Sequence, residues 1–381
     1  MRTSLFLPLM ILALAAPVSA ADLPSHEQVR ALITDSQEWF LAQQQDDGSL
    51  MAGDQFKLGA TALALEALLS GPQAVPVADP RIQKALAYVA KHQQDDGGIY
   101  DPNEGLENYI TSLSLMIWSS VGDADAPTID IEKAQNKLLG LQNVDEKDIN
   151  FGGIGYGSKG PTHEDLNNTT YAVEALRRSG IPSDHPAMQR ALKFVQRCQN
   201  RSESNDLPWA GNSNDGGAVY APHESKAGGS WTDEEQQKAA AEKAAAENKL
   251  GSYGSMTYNL ISTFIILDLP KDDPRLLAAL NWAKKNYQFE VNPGMPEGQE
   301  MEGLLYYYQM MATTFDELDI SAVNQGDWRA DLFAQIDQRK IPAESGGVFW
   351  SNSVKRWAEA VPQIASAYML KSLKRIDASL E

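Results

Sequence analysis

Two acidic residues and a set of tyrosines are the side chains of this sequence best suited to chemistry. Asp165 stands directly before an apolar stretch in the segment DLNNTTYA, and Glu302 precedes the run LLYYYQ. A carboxyl group can exchange protons with a ligand that is held against it. An Asp before an apolar helix also commonly caps the first turn. We therefore predict Asp165 and Glu302 as catalytic acids, with helix capping as the alternative for Asp165.

The sequence repeats one helical template, and this repetition predicts the elements that position those side chains. Residues 80–89 (PRIQKALAYV), 186–195 (PAMQRALKFV) and 274–283 (PRLLAALNWA) each begin with proline and space apolar residues along one helical face. A glycine-rich polar turn follows, as in QQDDG, FGGIG, DGGAV and GGVFW, and a fifth turn near 292–298 is a proline-richer variant. We predict about six helical hairpins.

The second helix of each hairpin is more apolar than the first. We predict these second helices over residues 58–70, 109–121, 167–179, 256–267, 303–315 and 362–373. Several are apolar on nearly every face, whereas first helices such as 25–43 and 130–141 keep a charged face. The pattern predicts an all-α fold in which six outer helices enclose six inner ones, an (α/α)6 toroid with Gly-rich turns. An open superhelix is the alternative.

The inner helices of such a toroid begin at one rim, so their first turns should meet at a central cavity. The residues expected there are Asn108, Tyr109, Thr111, Asp165, Asn167, Ser255, Tyr258, Glu302, Tyr306 and Tyr307. From this set we predict the substrate-binding residues Tyr109, Asn167, Ser255, Tyr258, Tyr306 and Tyr307. Packing in the core, with hydroxyls bonded to neighbouring turns, is the alternative for the tyrosines. Trp350 and Trp357, beside Glu359, either line the same rim or pack against the last turn.

Composition and charge exclude several classes of protein. The 381 residues, 43% of them hydrophobic, are predicted to form one domain over 21–381. A formal net charge of −19 disfavours nucleic acids and anionic membranes as partners. No mature segment is apolar enough for a transmembrane helix. The single Cys198 is expected to be a packing residue, and the five scattered histidines show no ligand spacing, so we predict no metal and no cofactor.

Two segments stand outside the repeat. At the N-terminus, Arg2 precedes an apolar run that ends in small residues around Ala20, a pattern typical of a cleavable signal. We predict a signal peptide over 1–20 and a secreted or periplasmic protein. A charged insertion at about 222–250 is rich in Ala, Glu and Lys and favours a solvated surface helix. A lid over the mouth of the toroid is the alternative for this insertion.

The QDDG-type turns, and the segment DLNNTTYA at the start of an inner helix, resemble the terpenoid cyclase and protein prenyltransferase toroid superfamily, which includes squalene-hopene cyclases. RCQN (197–200), GSYGSMTY (251–258), NPGM (292–295), LLYYYQ (304–309) and DWRADL (327–332) are similar to secreted bacterial prenyltransferase/squalene-oxidase-repeat proteins. The likeness covers nearly the whole mature chain. It implies a central apolar and aromatic cavity for an isoprenoid or another apolar small molecule.

The resemblance also implies where a catalytic acid should lie. In squalene-type cyclases the middle Asp of a DxDDTA motif protonates an alkene, and aromatic faces stabilise the resulting carbocation. The matching segment here begins at Asp165 and places the amides Asn167 and Asn168 where two carboxylates are expected. An amide is no useful proton donor, so either Asp165 acts alone or this chemistry is absent. The zinc ligands of a protein prenyltransferase are missing too, because no Asp stands two residues before Cys198.

Three functions remain open from the sequence. The first is a terpenoid cyclase or prenyltransferase-like enzyme, which the resemblance favours. The second is a non-catalytic exported binding or scaffold protein, which fits the missing acids. The third is a carbohydrate-active enzyme of the same architecture, which only an analogy of fold supports. The sequence indicates no particular protein partner.

Overall fold

A computed structural model describes residues 22–380, except 54, 123, 158–162, 208 and 229–249. The predicted signal peptide and residues 229–249 of the charged insertion lie outside the described residues. Within them the chain forms α1 (His26–Ala42), α2 (Lys57–Leu69), α3 (Pro80–Ala90), α4 (Glu107–Val121), α5 (Ile131–Gly140), α6 (Leu166–Arg178), α7 (Pro186–Arg197), α8 (Ala210–Ser213), α9 (Gly254–Ile266), α10 (Pro274–Lys285), α11 (Leu304–Glu317), α12 (Trp328–Arg339) and α13 (Pro362–Ser379).

Four two-residue strands flank α12 and form two small antiparallel pairs. Strand β1 (Ala322–Val323) pairs with β2 (Gly326–Asp327), and β3 (Ile341–Pro342) pairs with β4 (Val348–Phe349). A 3-10 turn, Arg356–Ala358, precedes α13. The sequence did not predict these short elements. They lie in the connections before and after α12 and leave the helical architecture unchanged.

Six helices form a closed inner ring. Going round it, α2 packs on α4, α4 on α6, α6 on α9, α9 on α11, α11 on α13, and α13 on α2. Helices α1, α3, α5, α7, α10 and α12 pack against the outside of this ring. The closed ring confirms the predicted (α/α)6 toroid and excludes the open superhelix.

The two rings differ in sequence because they differ in surroundings. Protein surrounds each inner helix, and α2 accordingly buries every residue after Lys57. An outer helix has protein on one side only. Outer helix α7 therefore buries a stripe at helical spacing, made of Ala187, Met188, Ala191, Phe194 and Val195.

Glutamines after four outer helices form hydrogen bonds that link each hairpin to the next. The Nε2 of Gln44 donates to the carbonyl of Gly48 in its own turn and to the carbonyl of Arg81 at the start of α3, at 3.3 and 2.7 Å. Gln93, Gln142 and Gln199 repeat both bonds in the following units. The repeated glutamine therefore has a structural role.

The turn glycines permit this close approach. Gly152 has a φ of +88°, and a Cβ at that position would lie 1.9 Å from the carbonyl oxygen of Arg190 in α7. In the sixth turn, a Cβ on Gly347 would lie 2.2 Å from the carbonyl oxygen of Asp35 in α1. The last turn thus packs on the first helix and closes the outer ring.

Candidate functional site

The first turns of all six inner helices surround one cavity of about 420 Å³, which we call the central cavity. Its larger apolar and aromatic lining residues are Phe56, Leu63, Leu106, Tyr109, Tyr156, Tyr220, Tyr253, Met256, Tyr306, Trp357, Ile364 and Tyr368. Its polar lining residues are Gln55, Asn167, Asn168, Ser255, Lys355 and Glu359. The convergence of helix starts agrees with the expectation from the sequence.

Glu359 is a buried carboxyl group in the wall of the central cavity. Its residue is 1% exposed. Oε1 accepts a hydrogen bond from the backbone N–H of Tyr306 at 2.9 Å, and Oε2 accepts one from Nδ2 of Asn352 at 2.6 Å. Burial raises the pKa of Glu359 to about 7 despite these bonds. A carboxyl group with this pKa can take up or release a proton near neutral pH.

Asp165 lies behind the cavity wall, and the expectation that it faces the cavity is corrected. It caps α6, because Oδ1 accepts the backbone N–H of Asn168 at 2.8 Å and Oδ2 accepts its Nδ2 at 2.7 Å. Asn168 and Tyr220 line the cavity at this point, and Asp165 does not. Burial raises the pKa of Asp165 to about 6, although hydrogen bonds from Asn168 and Tyr220 oppose the rise.

Glu302, the second predicted acid, also lies outside the cavity lining. It directly precedes Gly303, which lines the cavity. Its Oε2 forms an ion pair with Nη1 of Arg356 at 2.9 Å. The Glu302 carboxylate is therefore engaged by a cation at the mouth and holds the 3-10 turn against the start of α11.

Four of the six predicted binding residues line the cavity: Tyr109, Asn167, Ser255 and Tyr306. Two of them belong to one polar cluster. The hydroxyl of Tyr306 donates to Oδ1 of Asn167 at 2.6 Å and accepts from Nδ2 of Asn259 at 2.9 Å. This cluster joins the first halves of α6, α9 and α11 and fixes the orientation of the Tyr306 ring.

Tyr258 and Tyr307 do not line the cavity, which corrects the prediction for both. The Tyr307 hydroxyl donates to the carbonyl of Gln288 at 2.9 Å, and its ring meets that of Tyr258 with centroids 5.5 Å apart. Tyr258 also packs edge-on against Phe315. Successive helical residues point about 100° apart, so Tyr306 and Tyr307 cannot face the same space.

Asn108 and Thr111 are likewise buried behind the cavity wall. Asn108 donates through Nδ2 to the carbonyl of Asn168 at 2.9 Å. Thr111 accepts through Oγ1 from the backbone N–H of Ile99 at 2.9 Å, and so supports the turn that precedes its own helix. Thr61, Thr169 and Thr257 make the same contact in their own hairpins.

The two tryptophans near Glu359 have separate roles. Trp350 is buried, and its Nε1 donates to the carbonyl of Ile336 at 2.8 Å, so it packs the sixth hairpin. Trp357 lines the cavity and is 37% exposed. Its φ of +53° is a left-handed conformation that a bulky residue rarely adopts, and the guanidinium of Arg356 lies 4.9 Å from its ring centroid.

A second cavity of about 780 Å³ lies at the opposite end of the barrel, where the inner helices end. We call it the charged end, after its lining residues Glu66, Glu174, Arg177, Arg178, Asp268, Asp316, Glu317, Lys371, Lys374 and Arg375. Buried Glu66 forms ion pairs with Arg178 at 3.2 Å and with Lys371 at 2.9 Å. Buried Lys374 donates to the carbonyls of Ala67 and Ser70 at 2.8 and 2.7 Å.

The described part of the chain contains potential metal ligands and the chain's single thiol. No group of three or more His, Cys, Asp or Glu residues is placed there to hold a metal ion. Cys198 is buried at the end of α7, and burial raises the pKa of its thiol well above the usual value. No helix in the described part of the chain is both long enough and apolar enough to cross a membrane.

Comparison with known proteins reveals likeness in fold only. No protein-family model and no curated protein matches the sequence. The type II terpene cyclase MstE from Scytonema, in complex with the substrate geranylgeranyl dihydroxybenzoate, is similar over 93% of this chain and 99% of its own, with a TM-score of 0.52 and 11% sequence identity.

Two further solved structures show the same architecture. Cellobiose 2-epimerase from Spirochaeta thermophila DSM 6192 is similar over 93% of this chain and 97% of its own, with a TM-score of 0.58 and 13% identity. Candida albicans protein geranylgeranyltransferase-I, complexed with GGPP, is similar over 90% of both chains, with a TM-score of 0.51 and 14% identity. The chain therefore has the toroid fold of terpene cyclases, protein prenyltransferases and (α/α)6 sugar-converting enzymes.

Proposed function

We propose that this protein binds an apolar small molecule of the isoprenoid class in the central cavity. The observation that carries the proposal is the closed ring of six helix starts around about 420 Å³, a size within the roughly 300–1,000 Å³ typical of small-molecule sites. Most of the larger side chains in the wall are aromatic or aliphatic. Burying hydrocarbon against such a wall is favourable by about 25 cal/mol per Å².

The ligands of two similar toroids support this substrate class. The MstE structure holds geranylgeranyl dihydroxybenzoate, and the geranylgeranyltransferase structure holds GGPP. These compounds are ligands of the two similar proteins. They show that a toroid of this architecture can enclose an isoprenoid, and this chain has a cavity where its inner helices begin.

The proposed function does not include protonation of an alkene. That step requires an unusually strong acid, and the two buried carboxyl groups beside the cavity are weaker acids than usual. Burial raises the pKa of Asp165 to about 6 and that of Glu359 to about 7. Asn167 stands where the resemblance predicts the donating Asp. We therefore propose ligand binding without squalene-type cyclisation.

Filling the central cavity with a larger side chain tests the proposal. Ile364→Trp places an indole in the lining, and we expect the affinity for farnesol, measured by tryptophan fluorescence, to fall by about tenfold or more because the ligand volume is occupied. Ile131→Trp makes the same substitution on α5, where Ile131 is 40% exposed, and serves as the control. Native mass spectrometry of the purified protein would identify a copurifying ligand. Equal farnesol affinity in both variants would contradict the proposal that farnesol binds in the central cavity.

A sugar is the second candidate ligand. The polar cluster of Asn167, Asn259 and Tyr306 favours it, since hydroxyl-rich ligands need such partners, and so does the likeness to cellobiose 2-epimerase. Cellobiose and mannose belong in the same titration as farnesol. Sugar binding that is lost in Ile364→Trp, together with no binding of farnesol, would replace the isoprenoid proposal.

A further inference from the structure

We propose that Glu359 selects ligands with a hydroxyl group, by accepting a hydrogen bond from that hydroxyl inside the central cavity. This inference rests on the proposed function and narrows it. It assigns the cavity to an isoprenoid alcohol in preference to a hydrocarbon, an ether or an ester of the same chain. The alcohol would lie with its chain against the aromatic wall and its hydroxyl at Glu359.

The contacts of Glu359 leave room for a further donor. A carboxylate offers about four acceptor positions. Direct hydrogen bonds from Tyr306 and Asn352 occupy two of them here, and the backbone N–H groups of Leu304 and Leu305 at the start of α11 also act on the carboxylate and lower its pKa. In the described part of the chain no basic side chain forms an ion pair with it, in contrast to Glu66 and Glu302. A buried carboxylate in a cavity wall is stabilised by any additional donor that a ligand supplies.

The surroundings favour a neutral donor over a cationic one. All six inner helices direct their N-terminal ends toward this cavity, and a helix N-terminus carries a partial positive charge. Lys355 lines the mouth, and Arg356 adjoins it on the same loop. These positive charges oppose an ammonium group. A hydroxyl donates a hydrogen bond without carrying a charge into the cavity.

Ionisation of Glu359 gives the selection a pH dependence with a definite sign. The titratable and charged groups around it on α11, α13 and its own loop are Tyr306, Tyr308, Tyr368, Lys355 and Arg356, and Glu302 pairs with Arg356. Asp165, the cap of α6, lies behind another part of the cavity wall. Burial holds the pKa values of Tyr306 and Tyr368 far above neutral. The ionised carboxylate accepts the hydroxyl most strongly, so alcohol affinity should rise as pH rises through about 7, the pKa to which burial raises Glu359.

A matched pair of ligands tests the inference on the full chain. Farnesol can donate a hydrogen bond, and farnesyl methyl ether cannot. We expect farnesol to bind about tenfold more tightly at pH 8.5, and the two ligands to bind equally at pH 5.5. If neither ligand binds, the proposed function fails. If both bind with one affinity ratio at every pH, the proposed function stands and the selection by Glu359 is overturned.

Variants assign the effect to one carboxyl group. Glu359→Gln keeps an acceptor for the Tyr306 N–H and loses the charge, so it should bind both ligands equally at every pH. Glu344→Gln, at an exposed position of the sixth turn, is the control and should retain the preference. Circular dichroism shows whether Glu359→Gln folds. If it does not fold, the ratio of farnesol to farnesyl methyl ether affinity in the wild type, measured against pH, still tests the inference. A pH-dependent preference that survives in Glu359→Gln but vanishes in Asp165→Asn would transfer the role to Asp165.

Discussion

The two ends of the inner barrel have opposite chemistry. Where the six helices begin, most of the wall is aromatic or aliphatic, and the nearby buried carboxyl groups of Asp165 and Glu359 are bound by N–H donors. Where the helices end, ten charged side chains line the cavity. The same helices therefore build a mostly apolar cavity at one end and an ion-pair network at the other.

The helix dipole accounts for the direction of this difference. N-terminal ends leave N–H groups and a partial positive charge, which carboxylates satisfy. C-terminal ends leave carbonyl oxygens and a partial negative charge, which cations satisfy. Lys374 shows the second case, because its ammonium group donates to carbonyls at the end of α2. The polarity of the helices thus fixes which end can hold buried acids without cationic partners.

The largest expected effect is at the charged end. Glu66→Ala leaves Arg178 and Lys371 without their buried acid, and we expect the free energy of unfolding to fall by about 3–5 kcal/mol in urea denaturation. Asp319→Ala, which removes an exposed pair with Lys271, should cost less than about 1 kcal/mol. Equal losses in the two variants would mean that the charged end contributes no special stability.

The two ends should also respond to pH in opposite directions. Burial raises the pKa of Asp165 to about 6, so ionising it costs stability, and its contribution falls as pH rises from about 4 to about 6. Burial also acts to raise the pKa of Glu66, but Lys371 and Arg178 outweigh it and lower that pKa to about 2. The contribution of Glu66 is therefore present above about pH 4.5 and is lost as pH falls toward 2.

Asp165→Asn isolates the first of these contributions. Asn keeps a capping oxygen for α6, so the helix should remain. Between pH 4 and 7, the stability of the wild type relative to this variant should fall by about 2 kcal/mol. Urea denaturation at several pH values measures this difference. A constant difference between the two proteins over that range would show that Asp165 is not a buried acid.

A smaller effect is expected in the cavity wall. Tyr306→Phe removes the hydroxyl that joins Asn167 and Asn259 and leaves these amides with only their direct bond of 3.2 Å, so we expect a loss of about 1–2 kcal/mol and weaker ligand binding. Tyr307→Phe removes a hydroxyl bonded outside the cavity and should leave ligand affinity unchanged. A change in ligand affinity in Tyr307→Phe would mean that Tyr307 also contributes to the cavity wall.

The smallest effect is expected at the mouth of the central cavity. Arg356→Ala removes an ion pair with Glu302 in which the arginine is 40% exposed, so the loss of stability should be at most about 1 kcal/mol. Differential scanning calorimetry at low and high salt measures it. A loss that persists in high salt would indicate that stacking on Trp357 contributes more than the ion pair.

Much of the architecture could be predicted from the sequence, and the site only in part. The repeated proline starts and glycine turns predicted most helices to within two residues, because both signals are local. The exception is α13, which was predicted to end at 373 and ends at Ser379. Glu359 was noted only as a neighbour of Trp357. It lies in a connection, and its partner Tyr306 is 53 residues away in the chain. No local pattern marks that contact.

The sequence by itself determined the two rings, their order and the rim at which the inner helices begin, since periodicity and turn chemistry act over short stretches. Only the tertiary structure decided which side of each inner helix faces the cavity. A helix that is apolar all round carries no polar face to mark its rotation. For that reason Tyr306 and Tyr307 are alike in sequence, and packing alone places the first against the central cavity and the second behind its wall.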